Sequence, residues 1–234
     1  MLCRDCRDRH MVITGGAGAL GGAVVSALLE AGAFCHVPCL DEAEAKRCRL
    51  RDNKQVTLTV TGSLTDEPAV ARFYGALPSL WASIHLAGGF AAGRLRDASV
   101  DALRQQIDMN FLSCLLCCRA ALQAFGGHGG RIVNVAARPA LEWRTGAGMA
   151  AYAASKAAVA ALTAALAEEV AKDGILVNAV APSIMDTPAN RSTMPKADYN
   201  LWPKVEEVAA TILFLASADN RITRGAIVPV YGKS

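Results

Sequence analysis

The chain has 234 residues, 24 Lys and Arg against 21 Asp and Glu for a formal net charge of +3, and 53% hydrophobic against 19% charged residues. This is the length of one large domain with apolar material for a sizeable core, which excludes a disordered or chiefly solvating chain. The basic excess is spread along the chain apart from Arg4, Arg7 and Arg9, so no electrostatic footprint for nucleic acid is expected.

In chain order, Met11-Val12-Ile13 leads into a glycine-rich turn, and a helical pattern follows through Val24, Val25, Leu28 and Leu29 until Gly32 ends it. Phe34 to Leu40 is a second apolar stretch before an acidic turn at Asp41-Glu42, and Val56 to Val60 alternates as a strand does. Helix is expected over Glu67–Tyr74, strand over Trp81–Ala87, helix over Val100–Ala124 and strand over Arg131–Ala136. The pattern continues with helix Ala150–Lys172, strand Ile175–Val180, helix Val205–Ser217 and strand Ala226–Val230. Alternation of this kind predicts an α/β fold, a single Rossmann-like doubly wound parallel sheet with helices on both faces. Residues 1–10 read as a leader, residues 11–234 as one domain, and residues 182–203 as a long irregular loop suited to a lid.

The start of the chain is charged rather than apolar, so a secretory signal is not expected and the protein is placed in the cytoplasm with reduced thiols. Cys3 and Cys6 have metal-ligand spacing but no second pair, and Cys114, Cys117 and Cys118 read as buried small hydrophobes; no metal site is expected. No uninterrupted apolar run nears the ~20 residues of a membrane span, so no membrane partner is expected either.

Gly16-x-Gly18-x-x-Gly21 follows a predicted strand and opens a helix, the setting in which backbone N–H groups and a helix N-terminus receive a pyrophosphate. Asp41, about twenty residues on, is placed to accept from an adenosine ribose and repel a 2′-phosphate, favouring NAD over NADP. The alternative is a solvated turn there, with the register shifted by His36-Val37-Pro38-Cys39-Leu40. Tyr152 and Lys156, at i and i+4, project from one helix face, where an ammonium lowers the pKa of a phenol and lets the pair pass a proton.

The ordered set Thr14-Gly15-Gly16-Ala17-Gly18-Ala19-Leu20-Gly21, Ala87-Gly88-Gly89, Asn110, Tyr152-Ala153-Ala154-Ser155-Lys156 and Asn178-Ala179-Val180-Ala181-Pro182 resembles the short-chain dehydrogenase/reductase family from about Met11 to Gly232. The resemblance implies an NAD or NADP cofactor, Tyr152 as proton donor or acceptor, Lys156 on the nicotinamide ribose, and Asn110 holding a water relay to Lys156. It also implies cofactor contacts at Gly15, Gly16, Gly18, Ala19, Leu20, Gly21, Ala87, Gly88, Gly89 and Pro182, at Ile184 and Thr187 beside the carboxamide or phosphates, and at Ser63 and Leu64 beside the adenine. Ala19, Ser63 and Ser183 depart from the family pattern, and the place of its catalytic Ser reads Ala136-Ala137.

The dihydropteridine reductases also lack that Ser, and they resemble this chain at Ala87-Gly88-Gly89-Phe90, at Ala137-Arg138-Pro139-Ala140-Leu141, at Gly148-Met149 and through the run from Asp186 to Trp202. Trp143-Arg144 looks like an insertion against them. The implied reaction is hydride transfer to a small acceptor of that class, with Ala137, Met149, Met194 and Trp202 near the substrate. The rival readings are oxidation or reduction of an alcohol or carbonyl such as a 3-oxoacyl group, and a catalytically idle cofactor-binding scaffold or redox sensor. By the same resemblance, a homodimer or homotetramer pairs through the helices at Val100–Ala124 and Ala150–Lys172.

Overall fold

The computed structural model describes residues 6–234. Cys3 lies outside them. Seven strands, β1 (His10–Thr14), β2 (Phe34–Cys39), β3 (Val56–Val60), β4 (Ala82–His85), β5 (Gly130–Val135), β6 (Ile175–Pro182) and β7 (Ile227–Val230), form one sheet in the order β3-β2-β1-β4-β5-β6-β7. Every pairing is parallel. The helices are α1 (Ala19–Glu30), α2 (Glu42–Arg47), α3 (Glu67–Gly75), α4 (Val100–Ile107), α5 (Ser113–Ala124), α6 (Ala150–Glu169), α7 (Pro188–Thr193) and α8 (Val205–Ala216).

Two apolar layers result. Val24, Val25 and Leu28 of α1 and Val208, Ile212 and Leu215 of α8 pack on one face of the sheet. On the other, α3, α5 and α6 bring Val70, Phe73, Cys117, Ala121, Val159 and Leu166 against Val12, Ile132 and Val177. Strand order reverses between β1 and β4, and in open α/β sheets the crevice outside the strand ends at that switch is where ligands lie. Pro38 lies beyond the last β1–β2 pair, at His36, so its missing N–H costs no central ladder bond.

Three local features differ from expectation. The acidic turn at Asp41-Glu42 begins a short helix, α2, because the Asp41 carboxylate accepts from Glu44 N at 2.7 Å and caps it. The irregular loop contains α7, started by the Thr187 hydroxyl accepting from Asn190 N at 3.2 Å with Pro188 at the first helical position. The helix expected over Val100–Ala124 is continuous but switches to π geometry at Asp108–Leu112. Of the leader, Cys6 is fully buried and its N–H donates to Ala31 O at 2.9 Å, so its described part, residues 6–10, is docked on the body of the domain.

By length and mean hydropathy, 20 residues at 1.4, α6 alone among the described helices passes the test for a membrane-crossing segment. Runs of uninterrupted apolar residues do not reveal it because Lys156 and Thr163 interrupt the sequence, and both are buried against the sheet rather than exposed to solvent. Cys35, Cys39, Cys48, Cys114, Cys117 and Cys118 carry free thiols, all buried.

Candidate active site

The glycine turn begins where β1 ends. Gly15 takes φ +68°, a left-handed conformation that a side chain disfavours, and a Cβ on it would stand 2.9 Å from Ala87 N. A Cβ on Gly21 would stand 2.1 Å from Gly15 O, so this residue lets α1 close onto the turn. Gly18, the residue before α1, is less crowded: a Cβ on it would meet one atom, Gly15 O at 3.3 Å, which would have to give by a few tenths of an ångström. The fold's own packing therefore demands glycine less here than at Gly21. Room beside an exposed loop backbone at a helix start is what close approach of a pyrophosphate requires, and the turn fits a dinucleotide.

A cleft of about 810 Å³ runs from this turn across the strand ends. It is lined by Gly15, Gly18, Ala19, Leu20 and Gly21, by Ser63 and Leu64 beyond β3, and by Ala87 and Gly88 beyond β4. Thr14 Oγ1 ties two of these segments together by accepting from Leu86 N and Ala87 N at 3.1 Å each. The volume is that of a small-molecule or cofactor site.

Of the expected cofactor residues, Gly16, Asp41, Gly89, Tyr152, Lys156, Pro182, Ile184 and Thr187 are not in this lining, and one carboxylate oxygen of Asp41 caps α2. Glu44 lines the cleft in its place, with Pro38 and Leu40, and accepts from Leu40 N at 2.7 Å. Sequence reasoning passed over Glu44; the Asp41-x-x-Glu44 spacing of a helix start was the available signal. Gly16 borders a second groove with Gly18, Asp186 and Pro188, which puts the phosphate turn next to the lid segment.

Beyond Gly88 lies the polar end of the site. Asn110, 1% exposed within the π segment, donates to Gln106 O at 3.1 Å and brackets Gly89, donating to its carbonyl and accepting from its N–H, both at 3.0 Å. A π-bulge at a functional residue is a recurrent device for aiming a side chain out of a helix. Lys156 is 6% exposed, and its Nζ donates to Val135 O at 2.8 Å. A Cβ on Gly88 would stand 2.5 Å from Asn110 Oδ1 and 3.5 Å from Lys156 Nζ, so Gly88, Asn110 and Lys156 meet at one point.

Tyr152 is half-buried on the same helix, and the Phe90 ring meets it edge-on at 5.0 Å. Burial pushes the Tyr152 hydroxyl up to about 12, and it pulls Lys156 down to about 8 against a partly offsetting attraction to Cys114. The expected lowering of the phenol by the ammonium is not what this structure shows. Loss of water around the hydroxyl dominates, and the Lys156 Nζ bonds to a backbone carbonyl.

The remaining expected residues divide. Ala137, 5% exposed, lies two residues past the end of β5, while Met149 is half-buried immediately before α6 and Pro182 ends β6. Ile184 is 44% exposed, and Thr187 is buried as the α7 cap. Met194 is half-buried at the end of α7; Trp202, 8% exposed and 5.0 Å from the Tyr199 ring, anchors the lid segment to the body. Arg191 is held by the Asp186 carboxylate at 2.6 and 2.8 Å and lies over the Tyr199 ring.

Comparison with known proteins agrees with this geometry. The sequence pattern of the family described as short chain dehydrogenase matches residues 9–198. The chain is 35% identical to cis-4-hydroxycyclohexanecarboxylate dehydrogenase of Sinomonas cyclohexanicum, covering 96% of both chains, and 36% identical to galactitol 2-dehydrogenase of Rhizobium johnstonii, covering 94% of this chain and 92% of that one. Among solved structures it superposes on gox2181 with a TM-score of 0.88 at 28% identity, over 98% of this chain and 96% of the other. The chain belongs to the short-chain dehydrogenase family of NAD(P)-dependent oxidoreductases.

Proposed function

We propose that the protein is an NAD-dependent reductase of a flat, nitrogen-rich heterocycle of the dihydropterin class, with Tyr152 as proton donor. The observation that carries this reading is the end of β5. Ala136 and Ala137, 1% and 5% exposed, stand at the chain position where the family pattern has its substrate-polarising Ser and carry no hydroxyl, leaving the Tyr152 hydroxyl as the hydrogen-bond donor toward an acceptor. An electron-poor ring takes up a hydride with less oxyanion stabilisation than a ketone needs. The nicotinamide, when bound, supplies that hydride.

The chain's own residues do the rest. Tyr152, raised to about 12 by burial, holds its proton through the neutral range, which suits an acid in reduction better than a base in alcohol oxidation. Lys156, at about 8, remains cationic at pH 7 beside Gly88, where it would hold the ribose hydroxyls of the cofactor and return a proton to Tyr152. Asn110 fixes the backbone at Gly89, which would border a bound nicotinamide. Phe90, 61% exposed, offers an aromatic wall at the mouth of the site for a planar acceptor.

Glu44 supports NAD over NADP: it faces the cleft, with Asp41 and Glu42 close by in sequence, so a 2′-phosphate would meet carboxylates. The exposed alanines of α6, Ala154, Ala161 and Ala164, support pairing of two or four subunits through that helix. The free thiols support residence in the cytoplasm.

A second reading, oxidation of a cyclic or polyhydric alcohol, is favoured by the names of the two relatives above. One assay separates the two. With NADH and with NADPH, the purified protein is offered an oxidised dihydropterin and a panel of cyclic ketones and alcohols. The proposal expects NADH-dependent turnover of the pterin with kcat/KM about tenfold or more above any carbonyl; the opposite ranking establishes the alcohol reading.

A further inference from the structure

Under the strand ends that carry the site lies a buried polar cluster that the proposed reaction does not use. His85 on β4 and Asn134 on β5 are paired across the sheet. Cys114 and Cys118, one turn apart on α5, point at them, and none of the four is more than 5% exposed. Cys118 Sγ is 3.5 Å from His85 Nδ1, Cys114 Sγ and Cys118 Sγ are 3.3 and 3.6 Å from Asn134 Oδ1, and the histidine nitrogen and two sulfurs all lie within 4.8 Å of one another. We propose that His85, Cys114 and Cys118, with the Asn134 side-chain oxygen as fourth donor, form a closed binding site for a soft divalent cation of the zinc type.

The geometry is close to what such an ion requires. Bonds of about 2.3 Å to sulfur and about 2.0 Å to nitrogen or oxygen in a tetrahedron separate the ligand atoms by roughly 3.3 to 3.8 Å. The three sulfur edges above fall in that range, and the two between Cys114 Sγ and its sulfur and nitrogen neighbours lie within 4.8 Å. His85 Nδ1 to Asn134 Oδ1, at 2.8 Å, has to open by about half an ångström.

The charge and the outer partners also fit. Two thiolates, a neutral imidazole and an amide oxygen around a divalent cation sum to zero, as a dry interior demands, whereas a monovalent ion would leave a net negative charge there. His85 Nε2 lies 2.8 Å from Ser83 Oγ, so with its proton on Nε2 the ring presents the Nδ1 lone pair to the ion while Ser83, backed by Tyr74 at 2.7 Å, holds the ring. Asn134 Nδ2 donates to Thr163 Oγ1 at 2.9 Å, which leaves its oxygen as the atom that faces the sulfurs. Binding displaces both thiol protons to solvent, two positive charges for the two that the cation brings, and shifts the imidazole proton from Nδ1 to Nε2.

The test uses the full chain, isolated from cells grown with added zinc, desalted, and analysed for metal and by X-ray absorption. One zinc per chain with two sulfur and two nitrogen or oxygen neighbours is expected. Titration of dialysed protein with Cd²⁺ is expected to produce a thiolate-to-metal absorption band that saturates at one equivalent. The band should vanish in Cys114→Ser and in Cys118→Ser and persist in Cys117→Ala, the neighbouring cysteine outside the cluster. Because a buried cysteine variant can fail to fold, the unaltered chain decides the matter. Absence of zinc together with absence of a cadmium band overturns the site, and so does a band that survives in both serine variants or a metal with more than two sulfur neighbours.

Discussion

Replacing Lys156 with Met should make the protein more stable at neutral pH while removing its activity. Met keeps the apolar stem and its packing but removes the charge. Lys156 is 6% exposed, and burial lowers its pKa from the ordinary 10.5 to about 8. At 1.36 kcal/mol per pH unit, that fall corresponds to a burden of about 3 kcal/mol for keeping the ammonium inside at pH 7. The hydrogen bond to Val135 O returns part of it, about 1.5 kcal/mol for a charged donor, so the variant should gain about 1–2 kcal/mol.

The pH dependence provides the check. Below pH 8 the lysine is protonated in both folded and unfolded chains, and the full burden applies. Between pH 8 and 10.5 the unfolded chain binds the extra proton, so the natural protein gains stability with rising pH and the advantage of the variant shrinks. Equilibrium urea unfolding of both proteins at pH 7 and pH 10 measures this. A variant less stable than the natural protein at pH 7, or a difference that does not change between the two pH values, refutes the reasoning.

Other substitutions separate packing from chemistry. Gly21→Ala should destabilise the fold by several kcal/mol in thermal unfolding, because its Cβ would stand 2.1 Å from Gly15 O. Gly18→Val should abolish NADH binding by fluorescence titration while lowering the melting temperature far less than Gly21→Ala, since only Gly15 O, 3.3 Å from a Cβ there, has to give way. Ala137→Ser should raise kcat/KM for cyclic ketones by about tenfold or more by restoring a hydroxyl donor, with little change for a pterin acceptor. Glu44→Arg should narrow the preference for NADH over NADPH, read as the ratio of their dissociation constants.

The sheet and its covering helices were legible because each strand is a short apolar run between turn residues and each long helix repeats its apolar positions. The Tyr152–Lys156 pair and the glycine turn were legible for the same local reason, a fixed spacing along the chain. What escaped depends on residues distant in sequence or on competition between local roles. Asp41 has the acidity and position of a ribose ligand, yet one of its carboxylate oxygens caps α2, and it is Glu44, within that helix, that lines the cleft. The π turn at Asn110 leaves no mark on the apolar pattern of Val100–Ala124. The raised Tyr152 hydroxyl follows from burial, in which Phe90 from beyond β4 takes part. The cysteines of α5 read as apolar filler, and only the sheet shows that they face His85 and Asn134.

The claim that most directly supports the functional account is that Tyr152 delivers a proton to an acceptor reduced by hydride. The measurement is NADH consumption with an oxidised dihydropterin by the natural protein and by Tyr152→Phe, alongside NADH affinity for both. The account predicts a loss of about 10²–10⁴ in kcat with unchanged NADH binding. Turnover by the Phe variant at the natural rate would contradict it.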